Sequence, residues 1–109
     1  MKKSIISVLL FLISLPLFCQ VEVKYFNAGW NKANDIEWVS KLSDCELKRF
    51  DVGADPSLAS KFKVVVVPTI IIFQDGEETE RFQADISFKM TATREDVQDY
   101  IDELIMSAF

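Results

Sequence analysis

Histidine does not occur in the 109 residues, cysteine occurs twice, and basic residues are outnumbered, 12 against 17. Without an imidazole the commonest general base is missing, Ser/His/Asp and Cys/His nucleophile systems are excluded, and any zinc site would have to do without its usual nitrogen ligand. A net charge of −5 argues against a nucleic-acid partner, because neutralising phosphates needs clusters of Lys and Arg that are absent. The length allows one small domain and no second core. There are no internal repeats, no Pro/Ser-rich linker and no low-complexity tract.

What is present is unevenly spread. Residues 5 to 19 (IISVLLFLISLPLFC) are almost wholly apolar, and every acidic residue lies after Gln20. Lys2 and Lys3, the run from Ile5 to Leu15, and the short stretch with Pro16 make the three parts of a secretory signal. The run is shorter than the roughly 20 residues a spanning helix needs. The expectation is therefore an export segment over residues 1–19, cleaved between Cys19 and Gln20, and one domain over residues 20–109, periplasmic or secreted. Cleavage would remove two lysines and no acid, leaving a domain of charge about −7. Two alternatives stay open: residues 1–19 kept as an anchor, or Cys19 lipidated, although the pattern for lipidation wants a small residue where Phe18 stands. In the cleaved chain Cys45 is the one thiol, and a single cysteine closes no disulfide within the chain.

Along the domain, Val21, Val23, Tyr25 and Phe26 set around Glu22 and Lys24 predict a strand over 21–26. Ile36, Trp38, Val39 and Leu42 have helical spacing, and Asn34 with Glu37 resembles a capping box, so a helix is expected over 34–44. A second strand is expected over 46–52. A short helix follows to about Phe62, opened by Asp55 and Pro56. The run VVVVPTIIIF, 64–73, is too apolar for a wet face and predicts a central strand buried on both sides. Asp75-Gly76 is the dipeptide favoured in two-residue hairpins, with a return strand over 77–83. Residues 93–109 read as the clearest amphipathic helix, opened by Thr93 with Asp96 three positions on. The order is β-α-β then β-β-α, an α/β fold with a mixed four-stranded sheet and helices on its faces.

Two stretches carry a family resemblance. YFNAGWNKAN, 25–34, resembles the thioredoxin segment in which a strand ends, a tryptophan follows and Cys-x-x-Cys opens a helix. VVPTIIIFQDGEE, 66–78, is similar to the thioredoxin stretch with the cis-proline, its threonine, the buried strand and the hairpin. The resemblance implies a thioredoxin-like fold, with Trp30, Asn31, Asn34, Val67, Pro68 and Thr69 at the family's motif positions. It departs at the chemistry. Asn31 and Asn34 stand where the family has its cysteines, Ala33 where it has a proline, and Tyr25 where it has a buried acid. An amide is neither the attacking thiolate nor the resolving thiol, so the dithiol oxidoreductase reaction is not expected. The chain after cleavage would also lack the strand and helix that a typical thioredoxin places before residue 21.

These positions leave several readings open. Pro68 reads equally as the border of a groove that exposes the Val67 backbone to an extended peptide and as the shaper of a loop before a core strand. Asn31 and Asn34 read as helix caps, or as a polar anion-accepting terminus. Trp30 reads as an exposed contact residue or as packing. Cys45, between Asp44 and Glu46, reads as an inert apolar residue more than a reactive thiol. Ile86, Phe88 and Met90 alternate with Ser87 and Lys89, a strand-like segment that covers core or offers an apolar patch to a partner, including a second copy. The acidic runs lack calcium-ligand spacing, and no metal or cofactor is expected. The preferred function is a protein- or peptide-binding accessory module. The alternatives are thiol-disulfide chemistry through Cys45, which would make the chain an enzyme, and a structural subunit that dimerises through residues 86–90.

Overall fold

A computed structural model of the chain describes residues 21–108. The export segment expected over 1–19, with Cys19, lies outside the described residues. Four strands form one mixed sheet: β1 (Val21–Asn27), β2 (Glu46–Asp51), β3 (Thr69–Gln74) and β4 (Glu77–Gln83), in the order β2-β1-β3-β4. β1 runs parallel to β2 and antiparallel to β3, which pairs antiparallel with β4. Helix α1 (Ser57–Phe62) connects β2 to β3, and α2 (Arg94–Ser107) follows β4.

Strand alternation divides the core in two. Val21, Val23, Tyr25, Ile70 and Ile72 point to the face covered by Val97 and Ile101 of α2 and by Ile36 and Val39. Phe26 and Ile71 point to the other face, with Ala28, Val64 and Val67, beside Phe50, Phe62 and Phe73. β3 is thus buried on both sides, which is why its sequence reads as an apolar run, whereas β1 keeps half-buried Glu22 and Lys24 among its core residues. Among the described residues β2 and β4 are the sheet's edges, and Glu77, Glu78 and Glu80 of β4 are exposed. Asp75 (φ 54°) and Gly76 (φ 85°) both take the left-handed conformation that a two-residue hairpin turn needs.

Helix α2 begins as its sequence predicts. The Thr93 side chain accepts from the Asp96 N–H (3.1 Å) while the Asp96 carboxylate accepts from the Thr93 N–H (2.9 Å). Thr93→Ala is expected to cost about 1 kcal/mol, read as a shift of the urea midpoint at unchanged slope.

Three expectations are corrected. No α-helix spans 34–44; two short 3₁₀ segments, Gly29–Asn34 and Glu37–Lys41, stand there, separated by extended Asp35 and Ile36. The capping box does not form either, because Asn34 and Asp35 spend their side chains on other partners, a local competition that breaks helices. The strand expected over 64–73 starts only at Thr69: the Val64 N–H closes onto Ala59 O of α1, and Pro68 has no N–H for a ladder. Finally, Ile86, Phe88 and Met90 do not form a strand. Asp85 Oδ1 accepts from Ser87 N, Ser87 Oγ and Lys89 N (2.8, 2.6 and 3.1 Å), folding residues 85–89 into a tight turn closed by an Ala84–Met90 bridge. Met90 packs on the core, Phe88 is partly exposed, and Ile86 is 97% exposed.

Candidate functional site

The end of β1, the first 3₁₀ segment and the loop before β3 bring the motif residues to one end of the sheet. The Val67–Pro68 peptide bond is cis. Thr69 is buried, and its hydroxyl donates to Val66 O (2.6 Å). Trp30 is 66% exposed, against Gly53 on one side and edge-on to Phe88 at 5.4 Å on the other.

Asn31, in contrast, is only 5% exposed and sits in a closed set of hydrogen bonds. Its amide nitrogen donates to Asn27 Oδ1 (3.1 Å) and Val67 O (3.4 Å), and its amide oxygen accepts from Asn34 (2.9 Å). The Asn27 amide in turn donates to Asp35 Oδ1 (3.3 Å) and Asn31 O (3.5 Å). Asp35 also accepts from the Tyr25 hydroxyl, whose oxygen accepts the Ile36 N–H (2.9 Å). Burial, and the hydrogen bond to Asp35 after it, hold the Tyr25 hydroxyl protonated well above its ordinary range. Every buried polar side chain in this set has a partner, as a buried polar network requires. Beside it lies an open cleft of about 290 Å³ whose lining includes Tyr25, Asn27, Lys32, Asp35 and Arg49.

The six motif positions do come together, but with a different exposure from that expected. Val67, Pro68 and Thr69 are buried, and the Val67 carbonyl is occupied by Asn31 rather than free for a peptide. Val65 of this loop is 81% exposed, and its backbone makes no hydrogen bond within the described residues. Neither asparagine caps a regular helix; both serve the side-chain network. Asn27 and Asp35, central to that network, were not singled out from the sequence. Their signal was the density of Asn and Asp over 27–35. Phe88 joins Trp30 from 58 positions away, with no local pattern to announce it.

Cys45 lies apart from this end of the sheet, before β2, packed against the core face under α2. Burial, then the Asp44 carboxylate, push its thiol up from 9.0 to about 11. The unfolded chain sheds this proton at lower pH than the native domain does. The stability it lends is therefore complete below about pH 9 and is lost as pH rises toward 11. Two results are expected. Iodoacetamide should modify the native thiol roughly 100-fold more slowly than the urea-unfolded one near pH 8, as thiolate fractions two pKa units apart dictate. Cys45→Ala should flatten the decline of stability between pH 9 and 11, measured by urea titration at each pH. Among the described residues no group of three acidic or cysteine side chains is placed to hold a metal ion, and no helix is long and apolar enough to cross a membrane.

No family model matches the chain. Among curated proteins it is 35% identical over 49 residues to the chloroplastic thioredoxin Y1 of Arabidopsis thaliana, a match covering 45% of this chain and 28% of that protein. It is 42% identical over 36 residues to a thioredoxin of Staphylococcus haemolyticus, covering 33% and 35%. The chain thus spans about a third of the length of the curated relatives it matches. Among solved structures it superposes on a single-substitution mutant of a thioredoxin from Halobacterium salinarum with a TM-score of 0.62 at 24% identity, over 84% of this chain and 80% of that one. It matches thioredoxin-2 of a malaria parasite with a TM-score of 0.61 at 26% identity, over 77% and 82%.

Proposed function

We propose that this thioredoxin-like chain is a binding module without dithiol chemistry, holding an extended peptide against the end of the sheet that carries Trp30 and the loop before Pro68. One observation carries the reading: the buried Asn31 amide is committed to Asn27, Asn34 and Val67, so a hydrogen-bonded network stands where an attacking thiolate would be needed. What this end offers a partner is recognition rather than reaction. Trp30 is a large exposed aromatic of the kind that anchors interfaces, and the uncommitted Val65 backbone suits strand-like pairing with a peptide. In the same proposal residues 1–19 direct export; N-terminal sequencing of the exported chain would find Gln20 first, and an intact Met1 would overturn it.

The names of the curated relatives favour a second reading, thiol-disulfide exchange through Cys45. The raised thiol pKa and its distance in the fold from Trp30 weigh against this. Dithiothreitol-driven insulin reduction separates the two. The binding reading expects no acceleration by the full chain, whereas acceleration abolished in Cys45→Ala would replace it with the redox reading. Capture from a cell-envelope extract tests the surface itself. Trp30→Ala should lose most of the proteins that the wild-type chain retains, and an unchanged set would sink the proposed site.

A further inference from the structure

Asp85 accepts three hydrogen bonds at one carboxylate oxygen and so fixes the turn that sets Phe88 edge-on against Trp30. Phe88 takes φ 67°, an uncommon conformation for a bulky residue, which the surrounding turn must enforce. The opposite wall is built alike. Asp51 Oδ1 accepts from the N–H groups of Gly29, Gly53 and Ala54, and Asp55 Oδ1 from Ser57, shaping the loop whose Gly53 lies close to Trp30 Cδ1. In all three carboxylates the second oxygen makes no hydrogen bond or ion pair among the described residues, and all three residues are exposed. Lys32 and Arg49 line the adjoining cleft together with Asp35 and Asp51, and Lys89 acts on Asp85, so corner and cleft together carry four carboxylates to three cationic side chains.

Resting on the peptide-binding reading, we infer that Phe88 decides what the site accepts: an extended peptide with an aromatic or large aliphatic side chain for the Trp30–Phe88 corner and a neighbouring Lys or Arg for the carboxylates of Asp51, Asp55 and Asp85. The two rings stand at 85° with centroids 5.4 Å apart, a corner that a third ring completes, since aromatic rings prefer tilted and offset contacts to face-to-face ones. A cation beside that ring meets carboxylate oxygens with no other partner, and an acidic side chain would meet like charge. Self-association through the corner is disfavoured by the same carboxylates.

Fluorescence anisotropy with the full chain and four labelled decapeptides tests this. Each probe has a Gly/Ser background and a central pair: Trp-Lys, Trp-Glu, Ala-Lys or Ala-Glu. The wild-type chain should bind Trp-Lys about tenfold more tightly than Ala-Lys or Trp-Glu. Phe88→Ala should bring the Trp-Lys over Ala-Lys preference below about threefold, and Phe88→Leu should keep part of it, showing that the turn still folds. Asp51→Asn with Asp85→Asn should erase the Lys over Glu preference. Equal binding of all four probes, or a Trp preference unmoved in Phe88→Ala, would overturn this inference and leave the peptide-binding reading standing. A lack of binding by any probe, together with unchanged envelope capture in Trp30→Ala, would overturn both.

Discussion

Replacing Phe26 by alanine is expected to remove about 4 kcal/mol of stability, most of what a domain of this size holds. Phe26 is fully buried at the centre of the core face opposite α2, stacked on Phe50 at 5.0 Å and 16° and tilted against Phe62 at 5.1 Å. Its removal loses the transfer free energy of a large ring, opens a cavity, and breaks two aromatic contacts worth about 0.5 to 1.5 kcal/mol each beyond their buried area. α1 is only six residues long, too short to form alone, so it depends on this cluster through Phe62. Urea denaturation followed by far-ultraviolet circular dichroism should show the midpoint falling toward zero for Phe26→Ala and less than half as far for Phe26→Leu. A loss under about 1 kcal/mol in the alanine variant would mean that the cluster collapses around the gap and that α1 is held mainly by other contacts.

Asn31→Ala is expected to cost about 3 kcal/mol, although Asn31 is neither apolar nor large. The substitution leaves Asn27 Oδ1 and Val67 O without their donor and Asn34 without its acceptor, and a buried polar group so orphaned costs about 1 to 3 kcal/mol. Asn34 is half-buried and recovers a bond to water, so the deficit falls mainly on the first two. The diagnostic measurement is a double-mutant cycle. Adding Asn27→Ala to Asn31→Ala should cost less than the sum of the single changes, because it deletes an acceptor already stranded. Strict additivity would show that the two amides do not act together.

Where the sequence was legible, hydrophobic periodicity and hydrogen-bonding needs agreed. Val97, Ile101 and the Thr93–Asp96 box all place α2, and Asp75-Gly76 directly after the apolar run of β3 places the hairpin. Where it misled, side-chain polar groups overrode the apolar spacing. Ile36, Trp38 and Val39 repeat as in a helix, yet Tyr25 reaches across from β1 to take the Ile36 N–H and bind Asp35, holding those two residues extended. The alternation of Ile86, Phe88 and Met90 likewise yields to one carboxylate, Asp85. For the site, Trp30 and Pro68 were found through resemblance. The partners of Asn31 were not, since a network linking β1, a 3₁₀ segment and the loop before β3 leaves no linear pattern.

The exposed glutamates of β4 bear on how copies of this molecule meet. An edge strand offers a row of backbone groups to any chain that can lie beside it, and identical molecules are the most abundant candidates. Here Glu78 is paired with Arg81 of the same strand (2.9 Å), and an approaching twin would bring the exposed Glu77 and Glu80 up against its own acidic edge, where like charges weaken pairing. At neutral pH the strand therefore guards its open side by repulsion.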